Sequence, residues 1–363
     1  ESYESLRKTI IEDSKLISNK HPEEKYRKPT PGKGINFPIQ DFVCLTVYSK
    51  ILKKDINLKT YLILPPNTDI TDYKGIMYMF HGMGSYNGSQ AYLANDYVKQ
   101  GLVVVAFDYR GHGLSEGTSG DLEGFEELRS DATQFMNLTE EYFSKLHHKY
   151  TKDSNSEKKE ISLSKENKVI DNKNLNDKIL ITDKPSFLRN KFLWGISLGG
   201  HLSYELSRRN PQEYKGVILL CPAMKTKVNF FMKIPLKAIN LLYPKYTIPK
   251  PKDESQITKN PYSFENPDPV GYNTQIRVRT VNALVDHIET VKGEYKHYEA
   301  PFVLVIPGVD KLVPPEGQID FFMETKSKDK QVWYYPNAWH GIIVEEEMVE
   351  VNERIVKWIA ERI

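Results

Sequence analysis

Residues 191–210 read "KFLWGISLGGHLSYELSRRN", and this stretch decides the fold. Its first six residues, "KFLWGI", are an apolar run of strand length, and "LGGHLSYELSRR" after Ser197 has helical spacing. Between them Gly195, Ser197 and Gly199 stand in the spacing Gly-x-Ser-x-Gly. A strand running directly into a tight turn, with a helix leaving directly from it, puts the serine at the apex. Gly195 and Gly199 keep the flanks of that turn small, and the helix start aims its free N–H groups at the hydroxyl. The same spacing recurs around Ser115 in "GLSEG" (113–117). There the strand ends near Asp108, "YRGHG" is turn material and "EGTSGDLEG" remains loop. Ser115 therefore reads as a structural loop residue, and Ser197 as the nucleophile.

Working outward, "DFVCLTVYS" (41–49) and "LKTYLILP" (58–65) alternate like edge or antiparallel strands. "GIMYMFHG" (75–82), "LVVVAFD" (102–108), "KGVILLC" (215–221) and "FVLVIP" (302–307) are nearly continuous apolar runs, as in strands covered on both faces. "QVWYYP" (331–336) is a late strand. Helical patterns lie between them over 89–101, 122–148 and the chain's last residues. Phe125, Leu128, Ala132, Phe135, Leu138 and Phe143 form one apolar stripe. This alternation predicts an α/β fold with a mostly parallel sheet and helices on both faces. Residues 1–36 read as a polar extension, and 151–184, dominated by Lys, Asn, Asp, Glu and Ser, as a disordered insertion. Residues 37–224 and 299–363 form the expected core. The helix-rich 225–298 interrupts the alternation where a cap over the strand ends would sit.

A chain of 363 residues with 39% apolar and 27% charged side chains can bury a real core. Its formal net charge of +2 lacks the dominant basic field of a nucleic-acid binder. No apolar run approaches the ~20 residues that span a bilayer. The expectation is a soluble, cytoplasmic protein, with export or targeting left open because the chain starts at Glu1 rather than Met. Cys44 and Cys221 lie in apolar runs without CxxC or CxxH neighbours and read as buried, reduced thiols.

A serine at neutral pH needs an imidazole to take its proton and a carboxylate to hold that imidazole's tautomer. "FVLVIPGVDKLVPP" places Asp310 three residues past a strand, and "QVWYYPNAWHGII" places His340 between the last strand and the final helix. Both loops open at the carboxyl edge of the sheet, where Ser197 also lies. Asp286 and His287, in the cap, and Asp320, in a helical pattern, are rivals; His147, His148 and His297 follow no strand and read as solvated. An oxyanion needs two N–H donors. Leu198, after the nucleophile, and Met83, in "FHGMGSYNG" (80–88), are the candidates, with Gly82 and Gly84 permitting close approach. His81 and His112 read as architectural. No metal or cofactor is expected, because neither a ligand cluster nor a phosphate loop occurs. Phe230, Phe231 and Ile234, with Ile239 and Leu242, could line an acyl tunnel, touch a membrane surface or form cap core.

Taken together, "HGMG", "DYRGHGLSEG", "GISLGG", "GVDKLV" and "WHG" resemble the monoacylglycerol lipase and lysophospholipase-like group of the α/β-hydrolases. The resemblance covers about 37–150 and 186–363. It implies an eight-stranded sheet, a cap after the sixth strand, and an esterase that acts through an acyl-enzyme on monoacylglycerol or lysophospholipid. In that group the five motifs are, in order, oxyanion loop, structural loop, elbow, acid and base. Ile196 and Leu198 replace the group's common His and Met, and "SYN" (85–87) replaces "EHS". The Lys/Asn-rich insertion resembles those of malaria-parasite proteins, so the lysophospholipase-like esterases of those parasites, including prodrug-activating ones, are the nearest likeness. A small-ester carboxylesterase, an acyltransferase using the same acyl-enzyme, and a noncatalytic scaffold are the alternatives. The expected partner is a small ester or lipid, with peripheral membrane contact through the cap and no protein or nucleic-acid partner.

Overall fold

The computed structural model describes residues 43–66, 68–153, 184–227, 230–248, 257–260 and 275–363, with the side chains of 152, 153 and 230–233 excepted. The expected 1–36 extension and nearly all of the 151–184 insertion lie outside the described residues.

Strands β1 (Leu45–Ser49) and β2 (Lys54–Leu58) pair with each other as an antiparallel hairpin, Leu45 opposite Leu58. Then come β3 (Thr60–Ile63), β4 (Gly75–Phe80), helix α1 (Ala91–Val98) and β5 (Leu102–Phe107). The long α2 (Phe125–Asp153) precedes β6 (Lys191–Ile196), α3 (Leu198–Arg209) and β7 (Tyr214–Leu220). The excursion after β7 contains α4 (Phe230–Leu242) and α5 (Val278–Val291). The chain closes with β8 (Phe302–Pro307), α6 (Pro315–Glu324), β9 (Lys330–Tyr335) and α7 (Met348–Ala360).

Seven strands form one sheet in the order β3-β5-β4-β6-β7-β8-β9. Only β3 runs antiparallel, against β5. Where eight strands are expected, the described residues hold seven plus the separate hairpin. The break falls at Lys59. Its N–H donates to Ser115 Oγ (2.8 Å), and its C=O accepts from Asp108 N–H (2.9 Å). The chain thus leaves the hairpin and joins the sheet through one residue. Ser115 Oγ also donates to Asp108 C=O (2.6 Å), so the second Gly-x-Ser-x-Gly serine is a staple at that junction.

Each central strand feeds two cores, because successive side chains point to opposite faces. Ile76, Tyr78 and Phe80 of β4 join Leu193 of β6 and the buried stripes of α2 and α3. Met77 and Met79 join Phe192, Trp194 and the apolar faces of α1 and α7 on the other side. A sheet covered on both faces explains the continuous apolar runs of β4, β5, β6 and β8, every residue of which is buried. The alternating "VCLTVYS" behaves differently. Val43, Leu45 and Val47 face the core, whereas Cys44 lies on the outer side and is exposed, contrary to the buried thiol expected. Cys221, at the end of β7, is fully buried. Among the described residues no helix is long and apolar enough to cross a membrane.

Candidate active site

The elbow is built by close backbone contact. Ser197 has φ 54° and ψ −115°, a conformation that L residues seldom adopt and that costs about 1–3 kcal/mol. Its N–H remains in the parallel ladder, donating to Leu220 C=O at 2.9 Å. A Cβ on Gly195 would stand 2.1 Å from Gly199 O, and one on Gly199 would stand 2.2 Å from Phe80 O. The two glycines are therefore required by the crossing of α3 over β6 and β4. Leu198 opens α3, and a first-turn N–H has no acceptor within its own helix.

The late loops bring Asp310 and His340 to this apex. Gly308 N–H donates to Tyr335 C=O (2.7 Å) and Val309 N–H to Ala338 C=O (3.0 Å), so the loops after β8 and β9 are joined by backbone. Asp310 Oδ1 accepts the N–H groups of Leu312 and Val313, both at 2.8 Å, which holds the carboxylate in one orientation. Its Oδ2 lies 2.6 Å from His340 Nδ1, and His340 Nε2 lies 3.0 Å from Ser197 Oγ. With Asp310 ionised, Nδ1 carries the proton and Nε2 faces the hydroxyl as acceptor. Burial opposes the imidazolium, but the Cys221 sulfur and the Asp310 carboxylate outweigh it, and the His340 pKa is raised. Burial also raises the Cys221 pKa.

The expected donor loop adjoins Ser197. A Cβ on Gly82 would sit 3.6 Å from Ser197 Cβ, so the backbone leading into Met83 runs alongside the serine. Gly84, at φ +75°, turns this loop against Ile276, the approach to α5. His81 accepts Tyr109 N–H at Nε2 (3.1 Å) and contacts Gly82 C=O through Nδ1 (2.8 Å). Burial holds its pKa well below the ordinary imidazole value, and burial lowers His112 to about 4. Both are neutral packing histidines, as their positions suggest. The rival His287 sits on α5, stacked on Phe125 at 3.8 Å and 2.9 Å from His201 Nε2. Asp286 pairs with Lys237, and Asp320 lies in α6.

Ile234 is exposed on α4, and the side chains of Phe230 and Phe231 are outside those described. The neighbour that sequence reasoning missed is Cys221, whose Sγ donates to His340 C=O at 3.3 Å. Its position at the end of β7, the strand beside β6, was the available signal. Among the described residues, Cys221, Asp310 and His340 offer ligand-type atoms all within 4.8 Å of one another. Two ligands of one tetrahedral zinc at ~2.0–2.1 Å would stand roughly 3.3 Å apart. The 2.6 Å Nδ1···Oδ2 separation is instead that of a charge-assisted hydrogen bond.

Comparison with known proteins agrees with this architecture. A family model described as "Serine aminopeptidase, S33" matches residues 71–150 and 156–347. The sequence is 22% identical to human monoglyceride lipase over 298 residues, covering 80% of this chain and 83% of that protein. It is 21% identical to the monoacylglycerol lipase of Mycolicibacterium smegmatis over 296 residues, covering 80% and 90%. Among solved structures, Paleococcus ferrophilus monoacylglycerol lipase aligns with a TM-score of 0.63 at 22% identity, over 84% of this chain and 99% of that one. A soluble variant of Saccharomyces cerevisiae monoglyceride lipase, in complex with a substrate analog, gives 0.62 at 16% identity, over 92% and 99%. The shared fold is that of the α/β-hydrolases.

Proposed function

The chain belongs to the serine aminopeptidase S33 family, and from that membership we propose a serine hydrolase that cleaves carboxylic esters through an acyl-enzyme. The observation that carries this reading is the unbroken relay from Asp310 through His340 to Ser197, at 2.6 and 3.0 Å. His340 Nε2 takes the proton as Ser197 Oγ attacks the ester carbonyl. Met83 and Leu198 N–H groups receive the oxyanion, and Asp310 stabilises the imidazolium. His340 then protonates the leaving alcohol and activates the water that releases the acid.

The family's description speaks of a peptidase, but the relatives reported above are lipases, and their names favour a monoacyl ester over an amide. Monoacylglycerol or lysophospholipid is accordingly the proposed substrate class. The proposed acyl-chain residues are Phe230, Phe231 and Ile234. The proposed cap is 225–298, flanked by a core of 37–224 and 299–363. Residues 225–248 carry five lysines and no acidic residue. Ile234, Leu241, Leu242, Tyr243 and Tyr246 are exposed there. That combination supports peripheral contact with an anionic lipid surface, which binding to anionic vesicles would test.

Labelling with a fluorophosphonate and turnover of a p-nitrophenyl ester series test the main reading together. Ser197→Ala abolishes both, whereas Ser115→Ala leaves labelling intact. Medium and long acyl chains exceed acetate in kcat/KM, and an aminoacyl amide is turned over far more slowly. A sharp preference for acetate would replace the lipid substrate with a small ester. Persistent labelling of Ser197→Ala would remove the nucleophile.

A further inference from the structure

The His340 loop is gripped from outside the sheet by four residues of the long excursion between β7 and β8. Ile257 C=O accepts Gly341 N–H at 2.7 Å, directly after the histidine. Asn260 Nδ2 donates to Val344 C=O at 2.7 Å. The centre of the contact is Glu345, whose carboxylate is fully buried. Its Oε1 accepts Thr258 Oγ1 at 2.6 Å and Lys259 N–H at 2.7 Å. Lys259 Nζ lies 3.4 Å from Glu345 Oε2, pairs with Glu347 at 2.6 Å and reaches Asn337 C=O at 3.1 Å. One short segment thus holds backbone on both sides of His340, at Asn337 and at Gly341 through Glu345.

A buried carboxylate is costly unless its hydrogen bonds are made. Burial pushes the Glu345 pKa up, while Thr258, the Lys259 amide and the Lys259 ammonium act against that rise. The packing of α7 against the sheet is made by other residues, the apolar Met348, Val351, Ile355, Trp358 and Ile359 together with Asn352, which donates to Asp96. What Glu345 joins is the segment 257–260 to the loop that carries the general base. His340 must also be held closely, because a misplacement of ~1 Å can cost about 10²-fold in rate.

We propose that Glu345 is a positioning residue for His340, acting through Thr258 and the Lys259 backbone so that a segment of the β7–β8 excursion sets the imidazole against Ser197. The inference rests on the Ser197–His340–Asp310 reading. Removing the carboxylate frees the loop without touching substrate, so the effect falls on the chemical step and not on binding.

The test compares Glu345→Ala, Glu345→Gln and Thr258→Val in the full chain. It measures kcat and KM on a p-nitrophenyl ester, the rate of fluorophosphonate inactivation, the fraction of active sites after exhaustive labelling, and Tm. Glu345→Ala should lower both kcat per titrated site and the inactivation rate by about 10- to 100-fold, with KM little changed. Glu345→Gln, whose amide oxygen still accepts both bonds, should stay within a few-fold of the unsubstituted protein. Thr258→Val should fall between them and remains informative should Glu345→Ala fail to fold. A merely structural role would lower Tm and the active fraction but leave turnover per titrated site unchanged, and that result would overturn the proposal. Turnover and labelling that survive Ser197→Ala would instead overturn the catalytic reading.

Discussion

Replacing Gly199 with alanine puts one methyl group where the elbow crosses β4. Its Cβ would stand 2.2 Å from Phe80 O, 2.6 Å from Phe80 C and 2.7 Å from His81 O. All three are backbone atoms, so no side chain can swing aside. Strand β4 cannot retreat either, because it is hydrogen-bonded between β5 and β6 within the sheet. The start of α3 must therefore lift, by about 1 Å to reach a tolerable carbon–oxygen separation. Ser197 caps that helix and lifts with it. Its Oγ begins 3.0 Å from His340 Nε2, so a lift of that size misplaces the hydroxyl relative to the imidazole. A shift of this size predicts a loss of about 10²-fold in kcat. Overpacking predicts a destabilisation of about 1–3 kcal/mol. Turnover of a p-nitrophenyl ester, normalised to sites titrated with fluorophosphonate, separates the first effect from the second, which denaturant unfolding reads. An alanine variant with native turnover per titrated site would show that the elbow does not require the close crossing described above.

The raised His340 pKa gives a second prediction. The base works only when neutral, so activity rises with pH through a value above the ordinary imidazole range. Asp310→Asn removes one of the two groups that hold this value up against burial, the Cys221 sulfur being the other, so the acid limb moves to lower pH while kcat falls by roughly 10⁴-fold. Stability follows the same linkage. A pKa raised by folding contributes stability that is fully present below the unfolded pKa of ~6.5 and is lost as pH rises through the folded value, so Asp310→Asn should flatten that alkaline loss. An acid limb that stays in place would refute the assignment of Asp310. At the cap, replacing Leu241 and Leu242 with serine should weaken binding to anionic vesicles at least about tenfold, since each buried leucine is worth ~1.5 kcal/mol or more. Hydrolysis of a short soluble ester by the same variant should be unchanged, and undiminished vesicle binding would remove the membrane contact.

Much of this architecture was legible because burial on both faces writes itself as apolar runs. "GIMYMF", "LVVVAF", "KFLWGI" and "FVLVIP" are β4, β5, β6 and β8 with little adjustment. The choice of Ser197 over Ser115 also followed from local order, strand then turn then helix, which only one of the two satisfies. The hairpin strand β2, "KDINL", escaped notice because only Ile56 and Leu58 are buried and three polar residues face solvent. The exposure of Cys44 was lost for a related reason, since a polarizable thiol does not reveal which face of an alternating strand it occupies. Helix α2 extends to Asp153, beyond the stripe that ends at Phe143; Leu146 and Tyr150, partly buried against the same core, carry the helical spacing farther. The grip of 257–260 on the His340 loop joins residues 78 to 88 positions apart, and no periodic pattern encodes it.

Ser197, Asp310 and His340 follow β6, β8 and β9, and β7 lies between the first two of these strands. The relay therefore spans four adjacent strands, and a change in their mutual twist would alter the two short contacts before it disturbed any helix. Under gradual denaturation, ester turnover should vanish while far-ultraviolet circular dichroism is still near its native value. Catalysis here doubles as a strain gauge laid across half of the sheet.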